Sequence, residues 1–329
     1  MAFSYSVSQA GNLFPRVYNY LCVLPDKVLH HTEHNLRHPL AIYSISINRV
    51  LQAFENILRE NAKIYSVDWT TNNNADFNVG PLLSAEKELL DASMAHIDDG
   101  YQILKALCSI SKTTKQIQFA DKWLETVKHP TVRNYKHGIK TYRDSFAPIV
   151  NKIKHEHGRL QIVVMHDALN EHDKQRRIAG YFLEGVDKQG TVGPDQKIHS
   201  GKYAISFHRD LRYHFVHLFM IGEYLADAII QAISQDYHVS LPANPRIEAP
   251  WEPIANIAQS IHDLPFIFYP DELNKLTPSV IVNGSNQSTK ILLTRISPLK
   301  ADAFLNWRIQ IQFSGDNVTR SWKLPYFGI

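Results

Sequence analysis

The stretch that most constrains this chain is Ser206 to Gln235, SFHRDLRYHFVHLFMIGEYLADAIIQAISQ. At helical spacing Leu211, Phe215, Leu218, Leu225 and Ile229 fall on one stripe, and Val216, Phe219, Met220 and Ile230 cover much of the rest. A helix that is apolar nearly all round must be enclosed by other elements. The remainder of the chain therefore has to surround a rod about 45 Å long. A membrane would also cover such a rod. However, His214, His217, Glu223 and Asp227 interrupt the run, and a span needs about 20 mostly apolar residues. The expectation is a core helix and no membrane partner. Ser206 suits the N-cap, and Asp210 in the first turn is favoured by the helix dipole.

The flanking sequence supplies the enclosing elements. Leu40 to Ile64 repeats Ile42, Ile45, Val50, Leu51, Phe54, Ile57 and Leu58 at helical intervals. Ser84 to Ile110 does the same with Leu89, Met94, Ile97, Tyr101, Leu104 and Leu107. Ser84 is its expected N-cap, with Glu86 and Glu88 placing charge near the helix start. Lys112 to Lys128 and Thr131 to Arg159 read as two more helices, the first stopped before Pro130 and the second open to a break at Gly138 or Pro148. LQIVVM from Leu160, Ile178 to Val186 and Lys202 to Phe207 read as strands. HVSLPANPRIEAPWEP reads as a linker. Beyond it PFIFYP, PSVIVNG, TKILLTRI, NWRIQIQF and TRSWKL are strand-like. The fold class is α+β. A mainly helical bundle spans 1–240 with a β insertion near 160–206, and a small antiparallel β domain follows over 247–329.

Cys22 and Cys108 are the only cysteines, which makes no disulfide framework and no metal knuckle and points to a reduced, cytoplasmic setting. The N-terminal residues lack the basic flank and apolar run of a signal peptide. Asp26 to His38 is readable as a helix that would put His30, His34 and His38 on one face, with Glu33 beside them. No His-Glu-x-x-His run is present, so the expectation is a surface helix, no metal and no cofactor. The net charge of +3 is too small to imply nucleic acid, but it is unevenly spread. From Lys112 to Arg159 eleven basic residues face four acidic ones. Arg133, Lys136, Lys140, Lys152 and Lys154 are the candidate phosphate contacts there. The alternative is a solvated face.

On the long helix Asp210, His214, His217 and Ile221 share one stripe, so an acid and two histidines point the same way. RDLRYH at the opening of a buried helix, inside a helical context, resembles the HEPN superfamily of small, often dimeric helical bundles, many of them metal-independent ribonucleases. Their motif is Arg, four to six residues, then His, with an Asn, Asp or His often following the Arg. Arg209, Asp210 and His214 match it, and the resemblance would cover roughly residues 40 to 235. Arg212 to His217 and Arg159 to His166 have a similar spacing without the acidic second residue. The resemblance implies an RNA partner, a homodimer, and Arg209, Asp210 and His214 as catalytic residues, with Arg212 and His217 as further RNA contacts. Histidine titrates in the range that acid–base chemistry needs, and Arg holds phosphate with a bidentate fork. Arg209 and His214 lie about 140° apart on an ideal helix, so they meet on one ligand only through an arginine swing or a second subunit. The alternative reading is a non-catalytic interaction protein, docking an unidentified partner through its C-terminal β domain.

Overall fold

The computed structural model describes residues 3–8, 14–66, 78–110, 117–127, 130–167, 177–245, 252–283, 288–294, 307–312 and 321–326. The protein is α+β, with eight α-helices among these residues. They are α1 (Val17–Cys22), α2 (Pro39–Ser66), α3 (Gly80–Lys105), α4 (Ala120–Thr126), α5 (Pro130–His155), α6 (Gln196–His199), α7 (Phe207–Tyr237) and α8 (Glu252–Asp263). The strands are β1 (Phe3–Ser8), β2 (Leu160–Asp167), β3 (Arg177–Val186), β4 (Val192–Pro194), β5 (Ile205–Ser206), β6 (Thr277–Asn283), β7 (Ser288–Thr294) and β8 (Trp307–Gln312).

Helix α7 is the centre, as its all-round apolarity requires. It packs on α1, α3, α5, α8 and both sheets, and Leu211, Phe215, Phe219 and Ile229 are fully buried. By length and composition it could cross a membrane, but 72% of its most apolar stretch is buried inside the protein. Ser206 is the N-cap residue by position, yet its side chain makes no cap bond. Its hydroxyl instead donates to the buried Glu272 carboxylate, 2.5 Å away.

Three helices differ from the sequence reading. α3 starts at Gly80, with Pro81 in its first turn, so Ser84 and Glu86 lie inside the helix. Proline fits there because its missing N–H has no partner in a first turn anyway. α5 runs unbroken through Gly138 and Pro148. Gly138 is where α5 crosses α7: a Cβ there would sit 2.6 Å from the Tyr224 ring. The third helix is short, because α4 covers only Ala120–Thr126 and residues 111–116 lie outside the described ones.

The expected helix over Asp26 to His38 does not form. A single 3-10 turn, Asp26–Val28, is followed by turns with Asn35 at positive φ. The histidine stripe is therefore dispersed. His30 pairs with Glu33, His34 bonds the Cys108 carbonyl, and His38 accepts from the Leu40 amide at the start of α2.

The strands form two antiparallel sheets. One has the order β1-β7-β6; the other runs β4-β3-β2-β8, with β5 on β3. The C-terminal strands thus divide. β7 pairs with the N-terminal β1 on one side and with β6 on the other, while β8 extends the inserted sheet through Met165↔Ile309. Two sequence expectations fail here. Phe266 to Tyr269 is not strand, and the linker gives way at Glu252 to α8, which buries Ile254, Ile257, Ala258 and Ile261. Of the last expected strand, Trp322 makes only an isolated bridge to Val192.

Candidate functional site

A cavity of about 930 Å³ lies between α5, the first four turns of α7, β3 and the segment after Pro270. Its α7 wall is built by spacing. Arg209, Tyr213 and His217 recur at i, i+4 and i+8, and Met220 and Tyr224 continue the row. Asp210 and His214 form the adjacent row.

Arg209 and His214 line this one cavity despite their angular separation. The Arg209 guanidinium folds over the Tyr213 ring, 5.3 Å from its centroid, and donates to the Leu276 carbonyl at 2.9 Å. No carboxylate pairs with it among the described residues. His217 is fixed by a bond from Nδ1 to the Tyr213 carbonyl (2.8 Å) and by stacking on Tyr142, with centroids 4.3 Å apart. Burial pushes its pKa down to about 3. Its ring is therefore neutral, and with Nδ1 bonded to a carbonyl, Nε2 carries the lone pair.

His214 is held more tightly. It is 2% exposed, with Nδ1 2.6 Å from the Tyr142 hydroxyl and Nε2 3.5 Å from Asp210 Oδ2. Burial keeps the Tyr142 phenol protonated, and Ser93 is its other hydrogen-bonding neighbour. Asp210, 7% exposed, accepts from the Tyr181 hydroxyl at 2.9 Å. Burial pushes the Asp210 carboxyl up, but its neighbours His214, the Tyr181 hydroxyl and the proton-bearing Glu86 outweigh that and hold it below its usual value.

Glu86 lies beside Asp210, outside the cavity lining. It belongs to α3, is fully buried, and touches Asp210 and Tyr181. Burial, then the Asp210 charge, raises its carboxyl well above the usual range, so it keeps a proton that it can share with Asp210. Ligating atoms of Glu86, Asp210 and His214 all lie within 4.8 Å of one another, close enough to hold a metal ion. Sequence reading took Glu86 as a first-turn charge. Its true position was signalled by its place between Leu82 and Leu89 on the apolar face of α3. Tyr142 and Tyr181 carried no sequence signal beyond their apolar neighbours.

The other expected nucleic-acid contacts do not gather here. Arg212 is buried and points away, donating to the His208 and Leu264 carbonyls at 2.7 and 2.6 Å, with its guanidinium over Phe266. Burial lowers its pKa to about 10. It clamps α7 to the segment after α8 and is sealed from any nucleic acid, which corrects the sequence reading. On α5, Lys136 pairs with Glu125, Lys140 with Asp144, Lys152 with Asp195 and Lys154 with Asp91. Arg133 is exposed. Four lysines of this stretch are thus each paired with a carboxylate, two of which, Asp91 and Asp195, come from outside it.

Comparison with family models, with curated proteins and with solved structures finds no match for this chain.

Proposed function

We propose that the α5–α7 cavity binds a phosphate-bearing ligand, and that the ligand is RNA, as in the HEPN-like reading of Arg209-Asp210-x3-His214. The single observation that carries this is Arg209. It is a guanidinium with no carboxylate in ion-pair contact among the described residues, on the wall of a cavity that also holds three histidines. A cation so placed favours an anion, and a bidentate fork suits phosphate.

The proton-transfer role moves from His214 to His217. Both ring nitrogens of His214 face protein groups, whereas His217 binds the protein through Nδ1 alone among the described residues. A phosphate beside His217 would raise its depressed pKa toward neutrality, because an opposite charge favours the protonated ring. The 2′-hydroxyl would attack the adjacent phosphorus and pass its proton to His217 Nε2. The bond from phosphorus to the 5′-oxygen would break, that oxygen would take the proton back, and a cyclic phosphate would remain.

A docking role for the C-terminal strands is the second reading. It draws on β6, an edge of its sheet with Ile281 exposed, because an edge strand offers unpaired backbone groups to a partner.

The test compares wild type, Arg209→Gln and His217→Gln on single-stranded and structured RNAs, with thermal unfolding alongside. The expected outcome is cyclic-phosphate product from wild type and a loss of about 100-fold or more in kcat/KM for Arg209→Gln, with little change in Tm. His214→Ala is the weaker probe, since it leaves the Tyr142 hydroxyl and the Asp210 carboxylate buried without a partner. If wild type neither binds nor cuts any RNA, this reading is dropped and the docking role is tested by partner capture.

A further inference from the structure

Three buried titratable groups meet beside the cavity. Glu86 is fully buried and Asp210 and His214 nearly so, and no lysine or arginine pairs with either carboxylate among the described residues. Neither Glu86 oxygen nor His214 Nε2 makes a hydrogen bond to a protein donor or acceptor at normal geometry. These are unpartnered polar atoms turned toward the same few cubic ångströms. Buried carboxylates are costly unless a proton or a cation balances them.

We propose that Glu86, Asp210 and His214 form a binding site for one divalent transition-metal cation of the zinc class. The ligand set is one imidazole and two carboxylates, three protein ligands in all, as in zinc sites that keep a fourth position open. Asp210 and His214 line the cavity, so that fourth position faces it. The spacing fits. Two ligands each about 2.1 Å from a tetrahedral zinc stand about 3.4 Å apart, and His214 Nε2 lies 3.5 Å from Asp210 Oδ2. A Glu86 carboxylate oxygen is within 4.8 Å of both.

The surrounding groups are those a metal site uses. A ligating histidine commonly donates its other N–H to a fixed acceptor, which sets the tautomer. Here Nδ1 meets the Tyr142 hydroxyl, which in turn has Ser93 as a neighbour to receive its own proton. Nε2 is the ring nitrogen turned toward Asp210 and Glu86. Asp210, the second ligand, is oriented by the Tyr181 hydroxyl. Motif scanning misses this site because α3 supplies one ligand and α7 the other two.

The inference does not rest on the RNA reading, and its test uses no RNA. Zn²⁺ is titrated calorimetrically into chelator-stripped protein, and metal content is measured after dialysis. The expected result is one tightly held equivalent, a Tm that rises with Zn²⁺ and falls with chelator, and at least about 100-fold weaker binding in Glu86→Gln. Tyr142→Phe, which keeps all three ligands, is expected to lose about 10- to 100-fold, and it serves if Glu86→Gln does not fold. Wild-type binding no tighter than millimolar would overturn the proposal. So would undiminished binding in Glu86→Gln together with its loss in a His30→Ala, His34→Ala double variant, which would place the metal on the histidines that precede α2. Metal binding without RNA cleavage would leave this site standing while the RNA reading fell. RNA cleavage by metal-free protein would do the reverse.

Discussion

Helix α7 carries arginine and histidine on two faces, and the faces behave differently. On one, Arg209 and His217 open onto a cavity. On the other, Arg212 and His208 are sealed. The residue types are the same and the positions only a few apart. What separates them is whether the protein supplies acceptors. Arg212 spends its donors on two backbone carbonyls and lies over an aromatic ring, so it works as a clamp. Arg209 makes one carbonyl bond through Nη2, has its Nε buried without a protein partner, and lines the cavity. A buried arginine is thus informative about ligands only after its own hydrogen bonds have been followed to their ends.

That contrast can be broken by substitution. Arg212→Ala should cost the larger amount, about 4 kcal/mol in urea unfolding, since two charge-assisted bonds go and a void remains. A loss below about 1 kcal/mol would mean that the clamp is not real.

Acid should lower the whole stability curve while leaving the two arginines charged. His96 and His199 are neutral in the fold, burial having pushed both pKa values down to about 4. Their folded values lie below the unfolded value near 6.5, so the stability they confer is complete above that pH. It is lost as pH falls toward 4, at about 1.4 kcal/mol per unit each. Glu272 opposes them, because burial raises its carboxyl to about 7 and the fold gains stability between pH 7 and 4.5 as it protonates. These three groups together lose about 1.4 kcal/mol per unit below pH 6.5, and His208 and His217, whose pKa values burial pushes down to about 3, add to the loss in the same direction. Urea midpoints across this range check it, and a midpoint that rises on acidification contradicts the burial of these histidines. The smallest effect is expected for Arg209→Ala, under about 1 kcal/mol in the same assay, because this half-exposed side chain loses one carbonyl bond and a surface stack. A loss equal to that of Arg212→Ala would erase the distinction between the faces.

Local pattern carried the fold class a long way. The apolar recurrence in α2, α3, α5 and α7 and the alternation in β8 fixed these elements, because each is stabilised by burying a face whose period is written in the residues. The same pattern made α7 the central helix and put Asp210 and His214 on one row of it. It failed over Asp26 to His38, where polar and apolar residues do not separate onto two faces and turns suit the chain better.

Tertiary structure alone decided the rest. It placed β7 between β6 and residues 3–8 and gave β8 to the inserted sheet, since strand period is blind to which edge a strand joins. It carried Glu86 from α3 and Tyr142 from α5 onto the Asp210–His214 row. It turned Arg212 inward and left Arg209 on the cavity wall. A sequence records which residues want burial. Which polar groups meet once they are buried depends on how helices cross, and at this site that is set where Gly138 lets α5 close on Tyr224 of α7.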